Sequence, residues 1–214
     1  MWYQLKTRGI KRTFNRNVYD EVFYEEHVAF RSGYQELAAI IFAKFHPKSV
    51  CDFGCGNGYL IQSLAEKGVE VYGFEGSQAS LNLMENSLRE RVLIKDLSVN
   101  IDTHVHDMVI STEVAEHIPK KASAVLVHNL TKSASRAIIF SAAQPGQWGD
   151  GHINCQPKEF WIKLFESHGW TYDETATTDF TMAVKGSSEI RKNLPWIVDN
   201  FMLFAPEGRT ISSQ

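Results

Sequence analysis

The run Val50-Cys51-Asp52-Phe53-Gly54-Cys55-Gly56-Asn57-Gly58, answered by Gly73-Phe74-Glu75, restricts the fold more than any other part of the chain. A mostly apolar stretch enters three glycines at alternate positions. A helical pattern follows, and a second apolar stretch ends in a carboxylate. Glycine lets the backbone bend sharply and approach a ligand with no side chain between them. A carboxylate about 20 residues beyond such a loop stands where doubly wound folds hold a ribose by its hydroxyls. The segment reads as strand, glycine loop, helix and strand around a nucleotide-type cofactor.

The remaining chain keeps the same alternation. Apolar spacing predicts a helix over residues 32–45, with Leu37, Ala38, Ile40, Ile41 and Phe45 on one face and Pro47 beyond its end. Strands are expected over 49–53, 69–74, 92–95, 108–111 and 137–140. Helices are expected over 59–66, from an N-cap at Ser77 through Leu88, from Pro119 through Leu130, and from Pro157 to Gly169. Residues 170–205 read as two further strands with a long excursion between them. Strands alternating with helices predict an α/β, doubly wound, mostly parallel sheet. The length of 214 residues fits one domain. Residues 1–46 form its N-terminal helical lid and residues 47–214 its cofactor-binding core.

Charge and cysteines narrow the partners. With 22 Lys and Arg against 25 Asp and Glu, the net charge of -3 gives no footprint for nucleic acid. The basic cluster of Lys6, Arg8, Lys11, Arg12 and Arg16 is read as a solvated arm. Three cysteines without paired spacing suit a reducing compartment. Cys51 is expected to pack as a small hydrophobe, and no His or Asp at a suggestive spacing activates Cys155. With no leader-like segment and no apolar run of membrane-spanning length, the expectation is a cytoplasmic protein without a membrane partner. His104, His106 and His128 are read as structural. Phe160, Trp161, Phe165 and Trp170 are read as core.

The loop chemistry discriminates between cofactors. A dinucleotide fingerprint would place a third glycine where Tyr59 stands. A pyrophosphate wants the bare positive end of a helix, whereas Asp52 beside the loop favours a cationic ligand. S-adenosylmethionine carries an ammonium, a sulfonium and a ribose, and no phosphate.

With Glu75 and Asp96 following, the run from Ser49 to Gly58 resembles the class I S-adenosylmethionine-dependent methyltransferases. That resemblance implies a Rossmann-like, seven-stranded, mostly parallel sheet with its last strand antiparallel. It implies that Asp52, Gly54, Cys55 and Gly56 run beneath the methionine part of the cofactor. Glu75 would hold the ribose hydroxyls, with Gly76 beside it. Asp96 would meet the adenine amino group with Leu97 against the ring, and Thr112 would complete the set. Arg31 is a candidate for the cofactor carboxylate, and Tyr19, Phe23 and Tyr24 for the lid.

Ile110-Ser111-Thr112-Glu113-Val114-Ala115-Glu116-His117-Ile118-Pro119 resembles the fourth-strand motif of a branch that includes ubiquinone-biosynthesis O-methyltransferases. Phe140 to Gly146, with Gly151-His152-Ile153-Asn154, is similar to a group of small bacterial and phage methyltransferases, some of which accompany glycosyltransferase genes. Glu113, His117 and His152 are the candidate catalytic residues. Together with Glu116 they offer ligands for a divalent cation, Mg²⁺ or Mn²⁺, that would lower the pKa of an acceptor hydroxyl. Alternatively, either histidine serves as a general base, or the cluster only braces the next helix. The expected function is methyl transfer to a small molecule, most simply to an oxygen of a sugar or related metabolite. An RNA or other macromolecular methyltransferase, a non-catalytic S-adenosylmethionine-binding protein and an NAD-dependent enzyme are the alternatives. The oligomeric state is left open.

Overall fold

The computed structural model describes residues 19–211, so the basic cluster from Lys6 to Arg16 lies outside the described residues. The first helix, α1 (Glu21–Glu26), is capped by Asp20, whose carboxylate accepts the amide of Phe23 at 3.1 Å. A 3-10 turn, His27–Phe30, leads into α2 (Arg31–Phe45). That helix stops at His46, which adopts φ 39 immediately before Pro47. Pro47 disfavours helical geometry in the residue before it.

Next come β1 (Ser49–Phe53), α3 (Tyr59–Ala65), β2 (Glu70–Glu75), α4 (Gln78–Asn82), α5 (Asn86–Arg89) and β3 (Val92–Ile94). The second half holds β4 (His106–Thr112), α6 (Ser123–Ser133), β5 (Ala134–Ser141), α7 (Lys158–Glu166), β6 (Trp170–Tyr172), α8 (Glu174–Gly186), α9 (Ser188–Asn193) and β7 (Met202–Pro206). The seven strands lie in the order β3-β2-β1-β4-β5-β7-β6. All neighbouring pairs are parallel except those made by β7, which runs antiparallel to both β5 and β6. The doubly wound class, the seven strands and the antiparallel last strand agree with the sequence reading.

Burial follows from this topology. A central parallel strand is covered on both faces, and Val50 to Phe53 of β1 are all buried. Alternate residues serve opposite layers. Val50, with Met108 and Ile110 of β4, packs beneath α2, α3, α8 and α9; Cys51 and Phe53, with Val109, pack beneath α6 and α7. Trp161, Phe165 and Trp170 are core residues, as their spacing indicated, whereas Phe160 is half-buried and packs against that layer. At the far end of the sheet, Arg136 grips Asp107 through two bonds of 2.8 and 2.9 Å and also donates to the carbonyl of Phe45.

Three elements differ from expectation. The single helix expected from Ser77 is two short ones, because the chain turns at Leu83 to Glu85. There the guanidinium of Arg89 caps the carbonyls of Met84 and Asn82. His106 does not precede β4 but opens it, buried with its ring 5.0 Å from that of Tyr72. The excursion after residue 172 is helical, containing α8 and α9.

Candidate active site

Strand order reverses between β1 and β4, which opens a crevice at the carboxyl ends of the strands, the usual ligand position in such sheets. The glycine loop leaves β1 there and is tied to β2, since the amides of Gly54 and Cys55 both donate to the carbonyl of Phe74. Gly54 has φ 86, and a Cβ on it would run into the side chain of Val114 after β4. Gly56 has φ 53 and faces open space, with nothing within 4 Å of an added Cβ. Gly58, at φ 74, would likewise bring a Cβ to 2.6 Å from Leu88, so the loop needs glycine at 54 and 58 for packing and at 56 for its positive φ.

Glu75 organises this half of the crevice. Its Oε2 accepts the amide of Gly56 at 2.8 Å. Its Oε1 accepts the amides of Gly76 and Ser77 at 2.8 and 3.0 Å and the phenol of Tyr24 at 3.0 Å. A carboxylate accepts about four hydrogen bonds, two at each oxygen, so Oε1 is crowded by three donors while Oε2, with one, can take another. The amide of Asn57 pins the same lid segment, donating to the carbonyl of Tyr24 at 2.9 Å. Asp52 sits below the loop, 3% exposed, with one buried oxygen lacking a hydrogen-bond partner. Burial, then the charge of Glu75, pushes its carboxyl up to about 8.

The other expected cofactor residues occupy the following places. Thr112 ends β4 and is buried; Leu97 packs against the layer containing Phe53 and Phe74. Asp96 follows β3 at the surface, and one of its oxygens accepts both the amide and the hydroxyl of Ser98, at 2.8 and 2.6 Å. Arg31 is exposed, with its guanidinium 5.4 Å from the ring centroid of Tyr59.

The second half of the crevice starts where β4 ends. Glu113 has φ 55, a left-handed conformation that strains a residue with a Cβ. It is held by two residues, Ser141 and Asn200. Its amide donates to the carbonyl of Ser141, the Ser141 hydroxyl donates to Oε1 at 2.8 Å, and Asn200 Nδ2 reaches both oxygens at 3.1 and 3.2 Å. The turn Ala115–His117 then brings Glu116 and His117 inward. The loop after β5 is fastened to that turn, since the amides of Ile153 and Asn154 both donate to the carbonyl of Glu116 at 2.9 Å. The fastening carries His152 to His117, ring centroids 5.0 Å apart. Ligand atoms of Glu116, His117 and His152 all lie within 4.8 Å of one another.

The electrostatics are those of a desolvated acidic pocket. Burial raises the carboxyl of Glu113, and burial followed by the charge of Glu113 raises that of Glu116. Both oxygens of Glu116 are buried and neither makes a well-formed hydrogen bond; the nearby backbone of Glu116 and Ala143 offsets part of the cost of burial and no more. Burial lowers His117 to about 4, leaving a neutral imidazole at pH 7. The Nδ1 of His152 faces the carbonyl of Gln147 at 3.0 Å. Cys155 has a histidine neighbour that spacing did not reveal, with its sulfur 3.6 Å from His152 Nδ1, yet burial still raises the thiol. Metal-site character therefore rests on Glu116, His117 and His152, with Glu113 set apart by its bonds to Ser141 and Asn200.

Sequence reasoning missed Ser141 and Asn200, and it gave Tyr19 and Tyr24 no more than a place in the lid. Asn200 had no local signal, since it precedes β7 and meets Glu113 only through the antiparallel return of that strand. Tyr19 places its hydroxyl 2.7 Å from Nδ1 of His117. Among the described residues, no helix is long and apolar enough to cross a membrane.

Comparison with known proteins identifies the family and the fold. The family model for a methyltransferase domain matches residues 23–175. Ubiquinone biosynthesis O-methyltransferase of Azoarcus sp. is 32% identical over 101 residues, covering 44% of this chain and 43% of the relative. The enzyme of that name from Nitrosospira multiformis is 32% identical over 126 residues, covering 55% and 48%. The chain spans about half the length of these curated relatives. Among solved structures, magnesium protoporphyrin IX methyltransferase from Synechocystis PCC 6803, with bound S-adenosylhomocysteine, superposes with a TM-score of 0.54. That match has 22% identity and covers 69% of this chain and 75% of the other. An amino pentose methyltransferase from Micromonospora echinaspora, with bound S-adenosylmethionine, gives 0.62 at 13% identity, covering 89% and 99%. The chain belongs to the methyltransferase domain family and carries the class I, Rossmann-like methyltransferase fold.

Proposed function

We propose that this protein transfers the methyl group of S-adenosylmethionine to a hydroxyl of a small molecule. The observation that carries the reading is the pairing of two half-sites across the β1–β4 reversal. One half is Glu75 with the glycine loop, and the other is Glu116, His117 and His152, with ligand atoms within 4.8 Å of one another.

The sulfonium already activates the methyl carbon, so the protein's share is to position the acceptor oxygen and help it lose its proton. Glu75 presents a carboxylate suited to ribose hydroxyls, and buried Asp52, protonated when no cation faces it, would be drawn into its charged form by the ammonium of the methionine part. The buried oxygens of Glu116 and the neutral imidazole of His117 fit a divalent cation, Mg²⁺ or Mn²⁺, with His152 as a third ligand. Such an ion would supply Lewis acidity toward the acceptor hydroxyl. Glu113, bound by Ser141 and Asn200, shapes the floor between the halves. A sugar or related metabolite is the acceptor class to test first. The exposed Trp148, with Ile153, stands on the loop that also carries His152 and offers an apolar face for one side of such a ring.

The experiment is a screen of methyl acceptors by release of S-adenosylhomocysteine, beginning with sugars, sugar nucleotides and phenols. It is run with chelator and then with Mg²⁺ or Mn²⁺ restored. The expected result is turnover of a hydroxyl acceptor that chelation removes and metal restores. Turnover confined to RNA would overturn the small-molecule reading, and turnover indifferent to chelator would remove the cation.

A further inference from the structure

Tyr19 joins the two halves of the crevice. Its hydroxyl lies 2.7 Å from Nδ1 of His117, and the two rings meet edge to face with centroids 5.6 Å apart. Its carbonyl accepts the hydroxyl of Ser77 at 2.7 Å, and the amide of Ser77 donates to Glu75. Gly151 closes the same edge of the imidazole. A Cβ there would stand 3.3 Å from Nδ1 of His117 and 2.5 Å from the phenol oxygen of Tyr19. The Gly151 backbone also raises the basicity of His117 against the larger effect of burial.

These contacts decide which ring nitrogen carries the proton. A phenol can donate or accept, so the choice comes from Gly151. Its backbone raises His117 by taking a ring N–H, and it lies along the Nδ1 edge of the ring. The hydrogen bond made by one imidazole nitrogen sets the state of the other. We propose that Tyr19 is a positioning residue, accepting the Nδ1–H of His117 and so keeping the Nε2 lone pair free for the pocket shared with Glu116 and His152. The phenol stays neutral, since burial and then the charge of Glu116 push it up to about 12. Outer partners of this kind fix the orientation of metal-binding histidines, and their loss weakens metal binding roughly 10–100-fold. This assignment rests on the divalent-cation reading for its consequence, but not for the tautomer itself.

Two measurements test it on the full chain. In ¹⁵N-imidazole spectra, with His117 assigned by difference from His117→Gln, the wild type should show the Nδ1–H tautomer. Tyr19→Phe should show a mixture. A wild type with the proton on Nε2, or a Tyr19→Phe variant with an unchanged tautomer, overturns the proposal. Mn²⁺ binding, followed by the electron paramagnetic resonance of the free ion, should weaken roughly 10–100-fold in Tyr19→Phe. S-adenosylhomocysteine affinity should stay unchanged, because the Ser77 bond uses the Tyr19 backbone. Equal Mn²⁺ affinity in the two proteins also overturns it. If the tautomer shifts as expected but the wild type binds no Mn²⁺, the cation reading fails and the hydrogen-bond assignment stands.

Discussion

The phenol of Tyr24 donates a 3.0 Å hydrogen bond to Oε1 of Glu75, so a lid residue occupies the carboxylate expected to hold the cofactor ribose. The other three donors on Glu75 are backbone amides of Gly56, Gly76 and Ser77. Only the phenol can swing aside to make room. Burial, then the charge of Glu75, raises the Tyr24 hydroxyl far above its usual range, so it remains a donor at every working pH.

Tyr24→Phe removes this competitor. A hydrogen bond of this type contributes about 0.5–1.5 kcal/mol net, so S-adenosylhomocysteine should bind roughly 2–10-fold more tightly by calorimetry. Weaker binding would mean that the phenol turns to hold the cofactor instead of yielding to it.

Asn200→Ala takes a donor from both oxygens of Glu113, a residue already strained at φ 55. Leaving a buried carboxylate short of donors costs about 1–3 kcal/mol, visible as a shifted denaturant midpoint. Turnover should fall while S-adenosylhomocysteine affinity holds. Unchanged stability would show that Ser141 suffices for Glu113.

Stability should fall as pH rises from about 6.5 to 8, through the buried carboxyls. Asp52 is raised from 3.8 to about 8, so over this window the folded chain keeps a proton that the unfolded chain has lost. The folded form therefore loses its advantage with rising pH, by about 1.4 kcal/mol per pH unit for one such group. Glu113 and Glu116 are raised as well and act in the same direction. His117, lowered from 6.5 to about 4, acts in the opposite sense only below pH 6.5. Melting curves of wild type and Asp52→Asn across this window check the claim. The variant should show the shallower slope, and parallel slopes would contradict it.

Arg136→Ala serves as the control at the opposite end of the sheet. Its two-point grip on Asp107 and its bond to the carbonyl of Phe45 are partly exposed. The loss should therefore be about 1–2 kcal/mol of stability. Cofactor affinity should not change; if it did, the two ends of the sheet would be coupled.

The sequence revealed most clearly what local chemistry decides. Val50 to Gly58 and Glu75 fell where β1, the glycine loop and the end of β2 lie, because apolar runs and glycines act over a few residues. Ser77 caps α4 as its residue type suggested, its hydroxyl accepting the amide of Ala79. The helices of the excursion were hidden. α8 carries three threonines in its first five residues, a stiff β-branched composition that masks helical propensity. Its buried Thr177, Phe180 and Val184 were the available signal. The grip of Asn200 on Glu113 spans 87 residues, and that of Tyr19 on His117 spans 98. Contacts of that reach depend on strand order and leave no trace in local pattern.

The central claim is tested most directly by calorimetry of the wild-type chain with S-adenosylmethionine, S-adenosylhomocysteine and NAD, repeated with Glu75→Ala. The first two ligands should bind and NAD should not. Glu75→Ala should lose about 1.5–3 kcal/mol of affinity through its charged hydrogen bonds. Binding of NAD alone, or a Glu75→Ala protein that binds S-adenosylhomocysteine as well as the wild type, would contradict the account.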